Sequence, residues 1–189
     1  IDKILDKVLN QIVYWVLDKG SYVTDYIGCD DAADGTGYTF RFVNDAAALT
    51  LKVGGVPLST VKLEENRYGF GTPSDGQYPY ELTYYPESSD GAYFVWNIHV
   101  PVESLLPVQL TYQVELTQAP TAEGTHRLYT NTKAVLTAVD TEGATTTRTL
   151  ERPWVSYTVE AQTISIAVSK IWQDGEDYVY NGKTYKTWV

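Results

Sequence analysis

The stretch Pro107–Val139, PVQLTYQVELTQAPTAEGTHRLYTNTKAVLTAV, decides how the rest of the chain is read. Val108, Leu110, Tyr112, Val114 and Leu116 fall on one parity; Gln109, Thr111, Gln113, Glu115 and Thr117 fall on the other. Unbroken alternation of period two is the mark of a strand with one buried face. Residues 119–125, APTAEGT, interrupt it with loop residues, and Leu128 to Leu136 start a second strand. The two read as a hairpin.

The same period recurs on both sides. Before the hairpin, Val23, Asp25 and Ile27 share one face of a strand over 21–28, and Tyr22, Thr24 and Tyr26 the other. Either face could point inward. If the Val23 and Ile27 face does, Asp25 is a carboxylic acid in apolar surroundings and its pKa rises; otherwise it is an exposed edge residue. Further strands are read over 38–43, 49–53, 58–63, 80–85 and 91–100, with Gly54-Gly55-Val56-Pro57 as a hairpin turn. After the hairpin, Asp140–Gly143 is a turn, Thr145–Leu150 an edge strand and Pro153–Val159 a strand. Roughly ten short strands at regular spacing predict an all-β domain over 21–162, an immunoglobulin-like antiparallel β-sandwich. Trp96, Leu110, Tyr112, Val114 and Tyr157 are its expected core.

The two ends differ in character. In residues 1–19 the apolar positions Ile1, Ile4, Leu5, Val8, Ile12, Trp15 and Val16 have helical spacing, and Lys19-Gly20 reads as a C-cap. An N-terminal amphipathic helix over 1–20, packed on a neighbouring domain, is the expectation. In the C-terminal segment, 163–189, Ile164, Ile166, Val168, Lys170 and Trp172 share one parity. A lysine in line with an apolar face is costly unless it snorkels or reacts. The chain reads as a piece of a longer protein.

Composition excludes several functions. The net charge of −10 lacks the basic footprint of a nucleic-acid binder. One cysteine, Cys29, cannot form an internal disulfide framework and reads as an inert thiol. No apolar run reaches membrane-spanning length, so no membrane contact is expected. The acidic loop over 28–35 misses the spacing of an EF-hand, and His99 and His126 give no zinc spacing, with His126 expected in a loop. No phosphate loop or nucleophile elbow is present, and no spacing singles out the paired carboxylates of a glycoside hydrolase. No cofactor, no metal and no enzymatic turnover are expected. The sixteen tyrosines raise a second reading, a carbohydrate-binding β-sandwich module with exposed rings that stack on sugars.

Four segments resemble parts of Gram-positive surface proteins. The strand LTYQVEL, the Pro/Gly loop and YTNTKAVL resemble the closing hairpin of fimbrial isopeptide-forming domains of pilins and adhesins, and VTDYI resembles their VTD strand. The resemblance implies that Asp25 is the acid that polarises an asparagine amide and that Asn131 is the acceptor attacked by a lysine. In that family the donor lysine precedes the VTD strand; here the expected helix, with Lys3, Lys7 and Lys19, takes its place, so no bond within 21–162 is expected. The segment IDKILDKVLNQI before VTDYI resembles the exit from a von Willebrand A domain, without that domain's metal motif. ISIAVSKIWQDGE resembles the opening strand of a Cna B-type repeat, which implies that Lys170 is an isopeptide donor with a partner beyond Val189. Together these imply an extracellular, cell-wall-attached stalk in cell adhesion. Its partners would be neighbouring domains of the same protein and a host matrix protein or glycan.

Overall fold

The computed structural model describes residues 17–103, 106–161 and 178–185. In these residues the chain is all-β, with one 3₁₀ turn at Ala46–Ala48. In chain order the strands are β1 (Tyr22–Ile27), β2 (Cys29–Asp30), β3 (Tyr38–Phe42), β4 (Leu49–Val53), β5 (Val56–Pro57), β6 (Thr60–Glu64), β7 (Arg67–Phe70) and β8 (Tyr80–Tyr85). They continue with β9 (Tyr93–Ile98), β10 (Val108–Tyr112), β11 (Val114–Gln118), β12 (Gly124–Tyr129), β13 (Asn131–Val139), β14 (Thr145–Thr149) and β15 (Trp154–Val159). A hairpin of β16 (Tyr178–Tyr180) and β17 (Lys183–Tyr185) turns at Asn181-Gly182, both at positive φ. The expected ten strands of residues 21–162 are thus fifteen shorter ones, because several runs bend and change partners.

The largest sheet has seven strands in the order β14-β13-β1-β9-β8-β7-β6. Two three-stranded sheets, β10-β4-β5 and β11-β3-β2, and the pair β12-β15 complete the body. Every pairing is antiparallel. One face of the large sheet, with Val23, Phe94, Trp96, Leu82, Tyr68 and Leu136, is buried against Phe42, Leu51, Leu110 and Tyr112 of the small sheets. The Phe42 ring lies 4.7 Å from Tyr84 and 5.6 Å from Phe94, and Phe94 meets Tyr112 edge-on at 4.9 Å. Such tilted and edge-on pairs add to the burial of their apolar area.

Three expectations are corrected. The stretch 107–139 is not a hairpin. The 108–118 run breaks at Gln113, whose carbonyl accepts from the Val43 amide at 3.1 Å. β10 then pairs β4, while β11 pairs β3. The following loop is held elsewhere: the Thr121 and Ala122 amides donate to the Gly35 carbonyl at 2.7 and 2.8 Å. That anchor carries the chain across to β12, which pairs β15, and to β13, which pairs β1 and β14. His126 therefore sits on β12 rather than in a loop, its Nε2 2.7 Å from the Ala122 carbonyl. Tyr157 is only partly buried, because among the described residues β15 pairs only β12 and packs on the edge of the core. Trp96, Leu110, Tyr112 and Val114 are core residues, as expected.

The predicted helix lies outside the described residues up to position 16. Its expected last turn is not helical. Leu17 is buried in an antiparallel bridge to Val102, the Asp18 amide donates to the Val139 carbonyl at 2.8 Å, and Gly20 takes a left-handed φ of +91°. Lys19-Gly20 is a turn that leads directly into β1. Lys170 also lies outside the described residues.

Trp96 is 1% exposed at the centre of this packing. Truncation leaves a cavity that the surrounding rings cannot fill, so Trp96→Ala should destabilise by about 3–5 kcal/mol in chemical denaturation, with Tyr157→Ala costing clearly less. Equal losses would contradict the core assignment.

Candidate functional site

The site begins with the position of β1. This strand lies inside the seven-stranded sheet, bonded to β9 on one side and to β13 on the other. Asp25 stands opposite Phe94 and Ala134, and its side chain follows Val23 and Ile27 inward. The carboxyl group is therefore 0% exposed. Of the two placements open from the sequence, the inward one is realised.

Asn131 reaches the same face by an irregularity. Along β1 and β13 the register runs Asp25 to Ala134 and Tyr26 to Lys133, then shifts so that Ile27 meets Asn131. Thr132 is the extra residue. Had the register continued, Asn131 would have stood on the outer face with Lys133, because a slip of one residue exchanges faces. The bulge turns Asn131 inward and leaves both Thr132 and Lys133 exposed.

Two further contacts fix the bulge. The Gly28 amide donates to the Thr130 carbonyl at 3.0 Å, and a Cβ on Gly28 would stand 2.1 Å from the Tyr129 carbonyl. Only glycine allows that approach. Arg152 lies over the Tyr129 ring at 4.1 Å and donates from Nε to the Asn131 carbonyl at 3.0 Å.

Three side chains meet in the core. Asn131 Nδ2 donates to Asp25 Oδ1 at 3.0 Å, and the Tyr112 hydroxyl donates to Asp25 Oδ2 at 2.9 Å. Asp25 thereby joins β1, β13 and β10. Burial pushes its pKa up from 3.8 to about 7, against the smaller opposing effects of the Tyr112 and Asn131 hydrogen bonds. Burial also raises Tyr112 well above its ordinary value, helped by the neighbouring Asp25. Among the described residues the buried amide oxygen of Asn131 has no hydrogen-bond partner, nor has the indole nitrogen of Trp96. An orphaned buried acceptor is costly and calls for an explanation.

The resemblance implied the Asp25–Asn131 pair, and the structure brings these two residues together. It adds Tyr112, assigned from the sequence to the core alone. The inward parity of a tyrosine in an apolar strand was the available signal, since a buried hydroxyl seeks a partner. Of the described lysines, Lys19, Lys62, Lys133 and Lys183 are exposed and Lys52 is half-buried; none hydrogen-bonds Asp25 or Asn131. Cys29 lies apart and exposed, its thiol 3.5 Å from Asp31 and 3.7 Å from Thr39.

The raised pKa has a signed consequence. Native Asp25 keeps its proton up to about pH 7, whereas the unfolded chain releases it near 3.8. Between these values the native state binds more protons, so stability contributed by the neutral acid falls as pH rises, and the loss is complete above about pH 7. Three units correspond to about 4 kcal/mol. Asp25→Asn removes the titration and keeps the size. Its stability relative to the wild type should climb between pH 4 and 8 and then level; a difference that does not change with pH would contradict a buried, protonated Asp25.

Comparison with protein-family models, with curated proteins and with solved structures finds no match for this chain.

Proposed function

We propose that this chain is a stalk or spacer module of a cell-wall-attached surface protein of a Gram-positive bacterium, built on an immunoglobulin-like β-sandwich. It holds a binding domain away from the wall and bears load. The observation that carries this reading is the buried Asp25–Asn131–Tyr112 cluster. Its hydrogen bonds tie the interior strand β1 to β13 in the same sheet and to β10 outside it. Tension entering through β1 has to break two ladders and this cluster together.

The cluster also holds two parts of a cross-linking site. A half-turn of the Asn131 amide sets Oδ1 opposite a protonated Asp25, which can then donate to it. A neutral lysine amine adding to the amide carbon takes the polarised bond. Ammonia leaves, and a Lys–Asn amide forms with no net redox change. The acid and the acceptor are Asp25 and Asn131. None of the described lysines hydrogen-bonds this pair, so among the described residues the acid and the acceptor stand without an amine donor.

The tyrosine surplus supports the spacer over a sugar-binding platform. On the outer face of the large sheet Tyr85 and Tyr93 stack at 4.7 Å with 20° between their planes, and Tyr93 meets Tyr26 at 5.2 Å. These rings spend their faces on one another across β8, β9 and β1, as cross-strand pairs do. A row of rings with open faces is what stacking on a glycan chain requires.

Two measurements test this reading. In single-molecule pulling between handles at Asp18 and Ala161, Asp25→Ala should lower the unfolding force well below the wild type, while the exposed change Glu142→Gln should leave it unchanged; equal forces would remove the load-bearing role. The intact 189-residue chain should have its full sequence mass, since no described lysine meets Asn131. A mass lower by about 17 Da, one ammonia, that Asn131→Ala restores would contradict this and show the bond closing within the chain.

A further inference from the structure

A cleft of about 350 Å³ opens at the end of β8 and β9, on the side of the tight turn that joins β7 to β8. The Tyr78 ring lies so close on Gly69 that a Cβ there would stand 2.6 Å from the ring, and Tyr78 lines the cleft. One wall is a two-residue turn. Ser74 and Gln77 exchange backbone hydrogen bonds at 2.9 and 3.0 Å, with Asp75 and Gly76 between them at φ of +51° and +79°. Two successive positive φ values make the tight hairpin turn that Asp-Gly favours, a rigid mount for the side chains beside it. His99 also lines the cleft, and its amide donates to the Pro79 carbonyl at 2.9 Å.

The lining has a distinctive chemistry. Thr72, Ser74, Asp75, Gln77 and His99 all line the cleft, and none of their side chains hydrogen-bonds to any of the described residues. A hydroxyl pair, a carboxylate, an amide and an imidazole offer donors and acceptors around one ring. A ligand that fits has adjacent hydroxyl groups for the carboxylate and amide and a face of C–H groups for the tyrosine. The volume suits a ligand of one or two rings. Asp75 and the net charge of −10 oppose an anion.

We propose that this cleft is a binding site for a neutral sugar, a hexose unit at the end of a glycan. It is separate from the Asp25 cluster, so the module would contact a glycan while serving as a spacer. Asp75 bonds a pair of vicinal hydroxyls, Gln77 and His99 bond the ring's remaining polar atoms, and Tyr78 takes its apolar face.

The test uses the full chain, labelled with ¹⁵N, titrated separately with D-galactose, D-mannose, D-glucose and, as the anionic comparison, N-acetylneuraminic acid. At least one neutral hexose should shift the amide signals of residues 72–78 and His99 in a saturable way, and N-acetylneuraminic acid should not. Asp75→Asn keeps a residue that tolerates the left-handed turn and removes the charge-assisted bonds, so it should weaken that hexose about tenfold with the spectrum otherwise unchanged. Gln77→Ala gives a second variant at an exposed position. The proposal is overturned if no hexose moves these signals, if the shifts lie elsewhere on the surface, if the anionic sugar binds as well, or if both variants bind like the wild type.

Discussion

A carboxyl group placed fully inside a β-sheet core governs this structure. Asp25 loses its contact with water, and among the described residues two hydrogen bonds replace it, from Asn131 and Tyr112. A buried carboxylate with so few partners costs more than a buried carboxylic acid, so the group holds its proton to about pH 7. Everything around the cluster serves that arrangement. β1 has neighbours on both sides, the bulge aims Asn131 inward, and Gly28 and Arg152 hold the backbone on which the bulge depends. An acid so placed is an expensive way to build a core, since apolar residues of similar size would pack with less cost. Its presence, beside an amide oxygen without a partner among the described residues, points to a role beyond packing.

The two proposed roles draw on different parts of the fold. The load path depends on the interior: β1 bonded on both sides, with side-chain ties to β13 and β10. The sugar cleft depends on the rim, where a rigid Asp-Gly turn presents polar groups that the fold leaves unused. Strands that carry tension gain from being inside a sheet, while recognition groups gain from loops mounted on rigid strands. The stacked outer tyrosines belong with the first role. Each ring meets another ring across the strand spacing and so stiffens the sheet.

Much of the architecture was legible in the sequence because period-two alternation reports burial directly. Val108 to Tyr112 and Phe94 to Ile98 each show it and are buried on the face the pattern gives; Val23 to Ile27 shows it too, with the choice of face left to the structure. Connection was harder to read. A loop rich in Pro, Ala and Gly suggests a hairpin wherever it stands between two strands, and the anchor at Gly35 that redirects the loop after β11 has no local signature. Burial of Tyr157 was overestimated because alternation says nothing of whether a strand is flanked on both sides. Asn131 is the sharpest case. With Ala134 and Leu136 inward, parity puts position 131 outward, and only the bulge at Thr132 reverses it. The resemblance supplied both Asp25 and Asn131, the alternation left the face of Asp25 open, and the close approach at Gly28 that brings them together is a tertiary fact that no single stretch encodes.

The central claim is that Asp25 is a neutral acid, held inside the core by Asn131 and Tyr112. Its carboxyl ¹³C signal, followed by NMR from pH 3 to 9 in protein labelled at aspartate, measures this directly. The account predicts a midpoint near 7 for Asp25, moved in Tyr112→Phe, while the exposed Asp34, held below its usual range by Thr36, titrates at the acid end. A midpoint for Asp25 close to 3.8, unmoved by Tyr112→Phe, would mean that the group is solvated and that the cluster does not exist as described.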